Sequence, residues 1–207
     1  MESLDSYIQT LDQLFEQRLI DARPTLLTLK PGETVFQAEA SATHIFGVKA
    51  GKIQLIRYLE NGQMIHQYAV HSDAWFGENA LLGTTYQNCA IAAQPSEVVS
   101  IPAEAFITLL RHRRDMPLVF IEQLVGQLHV AKNLITLRSI RSASERVLAY
   151  LNSVSAPEQR TYVLESSIKE MAEHISLAPE VVSRSLRKLQ DEGIIRRSQR
   201  KITFLRR

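Results

Sequence analysis

The chain is poor in cysteine, in long apolar runs and in net charge, and each shortage excludes a class of protein. Its 207 residues include one cysteine, Cys89, which by itself provides no internal disulfide, no Cys-based zinc site and no four-Cys iron–sulfur cluster. No run of about 18 apolar residues is present, and no basic segment followed by an apolar one opens the sequence. We therefore expect a cytoplasmic protein with no membrane partner.

Charge is balanced over the whole chain but not along it. The net charge is +2, from 24 Lys and Arg against 22 Asp and Glu. Residues 1–138 carry 11 basic and 14 acidic side chains, whereas residues 139–207 carry 13 and 8. The last 24 residues alone carry nine basic and two acidic side chains. The positive field is thus concentrated at the C-terminus, where an anionic partner would bind.

The first half of the chain changes from helical to β-rich spacing. Residues 8–20 have apolar side chains at helical spacing and predict a short helix that ends before Arg23-Pro24. Strands are predicted at residues 26–29, 34–37, 44–49, 53–59, 64–70, 89–93 and 97–101. The clearest hairpin turns at Asn61-Gly62, because that pair readily takes the positive φ angles of a tight turn. Many short strands at this spacing predict an antiparallel barrel or sandwich.

Helical spacing returns after Pro102. We predict a short helix at residues 103–111 and a longer one from Pro117 to about Ser139. The longer helix carries an apolar stripe made of Leu118, Ile121, Val125, Leu128 and Ile135, and it has polar residues at Gln123, Gln127 and Asn133. The stripe packs either on its own barrel or against the same helix of a second subunit. We favour the second, because a single helix between two small domains has few neighbours within its own chain.

The C-terminal third has the spacing of a helix-turn-helix. Ser142 and Glu145 open one helix with a capping-box pattern, and Ser167 and Glu170 open another. Residues 167–175 are predicted as the first helix of the motif, residues 176–178 as its turn, and residues 179–189 as the second helix, with Pro179 at the first helical position. Residues 162–164 read as a short strand between the capped helices.

The second helix of this motif separates an apolar face from a polar one. Val182, Leu186 and Leu189 fall on one side, while Glu180, Ser183, Arg184, Arg187 and Lys188 take the others. Residues 194–197 and 202–205 read as two strands around a basic tip that contains Arg200 and Lys201. A polar, mostly basic helix suits the DNA major groove, and a basic wing suits phosphates. The combination predicts a protein that binds double-stranded DNA.

Over nearly its whole length the chain resembles bacterial transcription regulators of the CRP/FNR family. The resemblance rests on Pro31-Gly-Glu33, the Gly51 turn, the Asn61-Gly62 hairpin and the run Phe76-Gly-Glu78-x-x-Leu81-Leu82, followed by the long helix and the winged helix in the family's order. It implies an α+β fold with an N-terminal antiparallel β-roll of the cyclic-nucleotide-binding, jelly-roll type. A long dimerisation helix and a C-terminal winged helix-turn-helix follow. The domains implied are residues 1–115, 116–139 and 140–207.

The resemblance also assigns roles to residues. Glu180-Val-Val-Ser183-Arg184 is similar to the Glu-x-x-Ser-Arg signature of the FNR branch, which implies a homodimer on a palindrome of TTGAT-like half-sites. Ser167, Arg187, Lys188, Arg200 and Lys201 complete the expected DNA-binding set. RNA polymerase is the further partner that the resemblance implies. The sequence departs from the family pattern at Ser176, where Gly is common, and at Ala178, where a Ser or Thr cap is usual.

The expected effector pocket comprises Phe76, Gly77, Glu78, Asn88 and Cys89. Cyclic-nucleotide binders of the family place a Gly-Glu pair against the ribose and an Arg-Ser pair against the phosphate. Gly77-Glu78 is present here, but Asn88-Cys89 stands at the position of the second pair. Residues 76–93 contain no Lys or Arg, and a buried phosphate without a cationic partner is destabilised by several kcal/mol. An anionic effector such as cyclic AMP is therefore disfavoured, and Glu78 is expected to be structural.

No cofactor is predicted, and no metal site. Haem, with His44, His66, His71 or His129 as axial ligand, and a thiol switch at Cys89 are the alternatives kept open. The simplest hypothesis is a regulator that binds DNA without a small ligand, or with an unrecognised neutral one. An enzyme is not expected, because the sequence shows no nucleophile elbow, phosphate-cradling loop or metal-spaced His pair. A regulatory module that does not bind DNA would have no need of Glu180, Ser183 and Arg184.

Overall fold

A computed structural model describes residues 4–59, 61–62, 64–155, 161–163, 168–198 and 201–205. The chain divides into two units, Met1–Gly126 and Gln127–Arg207. The division falls inside the long helix α4 (Met116–Ser139), which the sequence analysis predicted as a separate dimerisation segment at residues 116–139. Each unit has its own apolar core and is described separately.

Two four-stranded antiparallel sheets form the first unit. One has the order β1-β8-β3-β6 and the other the order β2-β7-β4-β5. The strands are β1 (Thr25–Leu29), β2 (Thr34–Phe36), β3 (His44–Ala50), β4 (Lys52–Tyr58), β5 (Met64–His71), β6 (Trp75–Phe76), β7 (Cys89–Ala92) and β8 (Ser96–Pro102). The non-sequential order of the strands is that of the jelly-roll β-roll expected from the sequence.

Burial explains why these segments pair as they do. In β4 the buried Ile53 and Leu55 alternate with half-buried residues. Strand β8 is covered on both faces, because Val98 packs inside the roll while Val99 and Ile101 pack against the helices. The inner faces enclose a cluster of aromatic rings from Phe36, Phe46, Phe76 and Tyr86. All seven predicted strands are confirmed, and no end is shifted by more than one residue. The two-residue strand β6 and the short helix α2 (Asn79–Leu82) were not predicted, because neither is long enough to show a period.

Glycine is required at the turn between β3 and β4. Gly51 has φ 98°, and a Cβ atom at this position would lie 2.6 Å from the carbonyl oxygen of Pro95. Any side chain would therefore be strained and would also collide with backbone. At the predicted hairpin, Gly62 N donates to Leu59 O (2.9 Å) and Gly62 has φ 78°. The hairpin between β4 and β5 is confirmed, with Tyr58 paired to Met64.

The N-terminal helix begins and ends earlier than predicted. Helix α1 spans Leu4–Glu16, and its buried face is Leu4, Tyr7, Leu11 and Leu14. The sequence prediction of residues 8–20 is wrong at the C-terminal end, because Arg18 takes φ 58° and ends the helix. Leu19 N then donates to Leu14 O (2.9 Å), the bond of a Schellman motif. That motif usually has glycine at the left-handed position, so an arginine gave no sequence signal.

Helices α3 (Ala103–His112) and α4 follow the β-roll as predicted. A polar cluster joins the segment between them to α1. Arg113 donates to both carboxylate oxygens of Asp115, Nε at 3.0 Å and Nη2 at 2.9 Å. The same guanidinium donates to Ser6 Oγ (3.2 Å) and Thr10 Oγ1 (3.1 Å) of α1. The hydrogen bonds from Arg113 are the main reason that the pKa of Asp115 falls to about 2.

In the second unit, three helices pack around a small three-stranded sheet. The helices are α5 (Ala143–Val154), α6 (Ile168–His174) and α7 (Pro179–Asp191). The sheet has the order β10-β11-β9, from β10 (Ile195–Ser198), β11 (Lys201–Phe204) and β9 (Thr161–Val163). Ser142 caps α5 by accepting from Glu145 N (3.4 Å), as predicted. The second predicted capping residue, Ser167, lies outside the described residues. The arrangement is the winged helix-turn-helix of the prediction.

Candidate nucleic-acid interface

The turn between α6 and α7 is held by backbone bonds at both of its ends. Ser176 has φ 54°, and Leu177 N donates to Ala172 O (2.9 Å), so α6 ends in a Schellman motif with serine at the left-handed position. Ala178 is the N-cap of α7 and has no side chain that could accept from the first turn of the helix. Pro179 follows at the first helical position. Both departures from the family pattern are thus located at the turn itself.

The exposed face of α7 carries four of the predicted DNA-binding residues. Val182, Leu186 and Leu189 are buried in the core of the unit. Glu180, Ser183, Arg184 and Arg187 are exposed. At about 100° per residue they share an arc of about 100° opposite the buried face. The sequence places them there by periodicity, and the structure brings them together on one accessible surface.

Lys188 lies at the flank of that arc. Its Nζ is 3.8 Å from Glu192 Oε1 one turn later, and both side chains are exposed. An exposed pair of this kind contributes well under 1 kcal/mol, so it leaves Lys188 available to a phosphate. Ser185, which the sequence reading did not assign to either face, is buried.

The two described strands of the wing place basic residues on the outward face of the sheet. Ser198 pairs with Lys201 and Arg196 pairs with Thr203, so Arg196 and Lys201 lie on the same face. Both are exposed, whereas Ile195 and Ile202 are buried. Arg196 was missed in the sequence analysis, and its alternation with Ile195 is the signal that could have found it. Arg200 lies outside the described residues.

Arg146 is a second residue that the sequence reading missed. This half-buried side chain of α5 donates to Ile140 O through Nη2 (2.7 Å) and Nε (3.0 Å). Its Nη1 donates to Ile175 O (3.3 Å), at the end of the first helix of the motif. Arg146 therefore fastens the helix-turn-helix to the segment before α5. Its role follows from tertiary contacts, and no local pattern marks it.

The apolar stripe of α4 is exposed along its whole length. The exposed fractions are 61% for Leu118, 53% for Ile121, 44% for Val125, 50% for Leu128 and 71% for Ile135. The buried positions of the same helix are others, including Met116, Phe120 and Leu137. The stripe thus does not pack on its own barrel, which was one of the two interpretations of the sequence.

The residues of the expected effector pocket are only partly accessible. Phe76 is fully buried, and Gly77 has φ 80° with Phe46 against it. Glu78 accepts from the Tyr68 hydroxyl (3.4 Å). Burial raises the pKa of Tyr68, and the negative charge of Glu78 raises it further. Glu78 therefore contacts a side chain of the roll, as expected for a structural role.

Asn88 and Cys89 are the residues that the sequence prediction placed at the phosphate anchor. Cys89 is buried, and its Sγ accepts from Ala38 N (3.3 Å). Asn88 Oδ1 is buried without a hydrogen-bond partner among the described residues. This side of the roll therefore presents a buried amide oxygen, which is a hydrogen-bond acceptor. Among the described residues Glu78 has no ion pair.

Comparison with known proteins agrees with this architecture. The family described as Cyclic nucleotide-binding domain matches residues 26–113, and the Crp-like helix-turn-helix domain matches residues 145–207. Two solved structures share the fold. CprK complexed with OCPA has a TM-score of 0.78 at 19% identity, covering 100% of this chain and 92% of that chain. FixK2 from Bradyrhizobium japonicum has a TM-score of 0.63 at 19% identity, covering 90% and 94%.

Two curated relatives cover most of the chain. The global nitrogen regulator of Synechocystis sp. is 24% identical over 189 residues, 87% of this chain and 84% of that protein. The fumarate and nitrate reduction regulatory protein of Vibrio cholerae is 23% identical over 208 residues, 97% of this chain and 80% of that protein.

A β-roll joined to a winged helix-turn-helix defines a DNA-binding transcription regulator. The chain belongs to the CRP/FNR family of transcription regulators, whose members are not enzymes. Within the described part of the chain, no helix is long and apolar enough to pass through a bilayer.

Proposed function

We propose that the protein is a homodimeric regulator that binds a palindrome of TTGAT-like half-sites and is not controlled by cyclic AMP. The observation that carries the proposal is the exposed face of α7, on which Glu180, Ser183 and Arg184 lie together without an ion pair to any described side chain. Arginine bonds a guanine edge bidentately, glutamate accepts from cytosine and serine contacts thymine. RNA polymerase is the proposed protein partner, and the DNA target places the protein in the cytoplasm.

Phosphate contacts would come from the flank of α7 and from the wing. Arg187 and Lys188 extend the exposed face of α7, and Arg196 and Lys201 lie on the outward face of the sheet. Such contacts position the protein without reading sequence, and they make binding depend on salt. Ser167 and Arg200 belong to the same proposed set.

The dimer is proposed from the exposed stripe of α4. Five large apolar side chains, each between 44% and 71% exposed, repeat along one side of a 24-residue helix. A second copy of α4 is a partner of matching length and pattern. A palindromic site fits a two-fold symmetric dimer whose recognition helices lie about one helical turn of DNA apart.

Val125→Glu tests the dimer. A carboxylate at the centre of the stripe would be buried against its own symmetry mate, so the variant should sediment as a monomer and lose palindrome binding. Val130→Glu, on the same helix, 48% exposed and off the stripe, is the matched control and should remain dimeric. A dimeric Val125→Glu protein would refute the proposed seam.

Independence from cyclic AMP is proposed from the chemistry of residues 76–93. This segment contains no Lys or Arg, and an unpaired phosphate in the roll would be destabilised by several kcal/mol. Purified protein should therefore bind the palindrome equally well with and without added cyclic AMP. Binding that appears only after cyclic AMP is added would contradict the proposal.

A ligand-dependent regulator is the second candidate, and Asn88 favours it. A buried acceptor without a donor is costly, and a neutral ligand with a hydrogen-bond donor would satisfy it. Ultraviolet–visible spectroscopy and mass spectrometry of the purified protein separate the two candidates. A retained molecule supports the second candidate, and a Soret band would identify haem, for which His44, His66, His71 and His129 are the proposed axial ligands. Protein that binds DNA with no retained molecule supports the first.

A further inference from the structure

Strand β6 is an edge strand, and a side chain of α4 completes it. Trp75 and Phe76 pair with β3 on one side only. On the other side, Trp75 N donates to Gln123 Oε1 (2.7 Å) and Gln123 Nε2 donates to Trp75 O (2.8 Å). Trp75 is 2% exposed, so water cannot replace these bonds. The planar amide of Gln123 therefore stands where the peptide group of a neighbouring strand would lie.

The other contacts described for α4 in this unit are apolar. Met116, Phe120 and Leu124 pack into the apolar cluster around Trp75 and Phe106. Apolar packing of this kind depends less on direction than hydrogen bonds do, and the two bonds from one planar amide constrain the rotation of the helix most sharply. A helix that turned by 20° would carry a side-chain tip, roughly 6 Å from the axis, through about 2 Å. That displacement exceeds what either hydrogen bond tolerates.

The exposed stripe lies on both sides of Gln123 in sequence. Ile121 precedes Gln123 by two residues and Val125 follows it by two. The rotation that Gln123 sets is therefore the rotation at which these two side chains face outward. Trp75 is directly followed in sequence by Phe76, Gly77 and Glu78 of the roll. The Gln123 amide therefore connects the helix that carries the stripe with the turn at residues 77–78.

We propose that Gln123 is a positioning residue that holds α4 in the rotation at which its apolar stripe meets a second copy of the chain. The inference rests on the proposed homodimer. The amide of Gln123 is bonded to the roll and lies on the side of α4 away from the stripe. It acts through its hydrogen bonds to Trp75 N and O. Loss of these two bonds lets α4 rotate away from the dimer-competent orientation, while the apolar area of the stripe is unchanged.

The first variant is Gln123→Met, which keeps the length of the side chain and removes both hydrogen bonds. Its dimer dissociation constant, measured by analytical ultracentrifugation, should rise at least 10-fold, and binding to the palindrome should weaken with it. Gln127→Met, one turn along the same helix at a half-buried position without a described hydrogen bond, is the matched control and should change neither by more than about twofold. Trp75 is the only tryptophan of the chain, so its emission shows whether each variant keeps the β6 environment.

The second variant, Gln123→Glu, separates positioning from packing. An ionised carboxylate accepts from Trp75 N but offers no donor to Trp75 O, whereas the protonated acid makes both bonds. The ordinary pKa of Glu is about 4.3, and burial beside a carbonyl raises it. Dimerisation of Gln123→Glu, relative to wild type at the same pH, should therefore recover on going from about pH 8 to about pH 5. Gln123→Met has no group that titrates there and should not recover.

The outcomes are distinct. A dimeric wild type whose Gln123→Met variant dimerises and binds DNA as wild type does would overturn the positioning role and leave the proposed function standing. A Gln123→Glu variant that shows no recovery at low pH would overturn it as well. A wild type that sediments as a monomer would overturn the proposed homodimer together with this inference.

Discussion

Arg184 is the residue at which base reading can be measured most directly. Its side chain is exposed on the outward face of α7, and no ion pair to a described residue competes for it. A bidentate bond to a guanine contributes about 1–3 kcal/mol of discrimination. A symmetric dimer makes the contact twice, so Arg184→Ala should weaken binding to the palindrome by about 2–6 kcal/mol, or roughly 30-fold to 10⁴-fold.

Lys201→Ala is the comparison variant. Lys201 is exposed on β11, where it faces the same side as Arg196. A phosphate contact carries no sequence information, so the variant should weaken binding to every duplex by a similar factor. Each lost cation lowers the slope of log affinity against log salt by about 0.9. For a dimer, the slope should therefore fall by about 2.

Fluorescence anisotropy with a labelled palindrome and duplexes substituted at the guanine of each half-site gives both quantities. The ratio of the two affinities should collapse towards one in Arg184→Ala and stay at the wild-type value in Lys201→Ala. If Arg184→Ala kept the wild-type preference for guanine, or if the two variants had equal small effects, the assignment of Arg184 to base reading would be refuted. Urea unfolding of both variants checks that neither effect comes from loss of fold.

Four further predictions concern stability, and urea unfolding of the full chain measures each of them. Ala178→Ser supplies the missing N-cap of α7 and should raise the free energy of unfolding by about 1 kcal/mol. Ser176→Gly removes the strain of a left-handed φ of 54° and should raise the free energy of unfolding by a similar amount. Ala131→Ser, in the exposed middle of α4, is the control and should lower it slightly. Asn88→Leu removes a buried acceptor without a described partner and should leave stability unchanged or raise it by up to about 1 kcal/mol, whereas a clear loss would reveal a bound partner. Asp115→Asn should be less stable than wild type at pH 7. The difference in the free energy of unfolding should shrink as the pH falls from about 5 to about 2, because a carboxyl with a lowered pKa stabilises the fold only while it is charged. Asp12 has no described ion pair, so Asp12→Asn should show no such trend.

Periodicity predicted most of the architecture. Seven strands and the helices α3, α4 and α7 lie within two residues of their predicted bounds, because each shows a clear period of two or 3.6. The start of α5 was also predicted, from its capping pattern. The features that escaped are short or depend on unusual residues. Strand β6 has two residues, α2 has four, and α1 ends at an arginine in a conformation that usually takes glycine.

The DNA-facing residues were predictable for the same reason. Glu180, Ser183 and Arg184 follow from the spacing of Val182, Leu186 and Leu189, since a helix with one buried face has one exposed face. Arg146, Arg196 and Gln123 were not identified as functional. Arg146 and Gln123 act on main-chain groups 29 and 48 residues away in sequence, and such pairs leave no local pattern.

The sequence by itself determined most of the helices and strands, the basic character of the C-terminal end and the absence of a cation from residues 76–93, because these depend on the order and type of side chains along the chain. Only the tertiary structure decided that the α4 stripe is exposed, that Glu78 contacts Tyr68, that Asn88 Oδ1 is buried without a described partner and that Gln123 bonds both main-chain groups of Trp75. Burial and hydrogen bonding between distant residues arise when sheets and helices pack, and the period of a single element does not encode them.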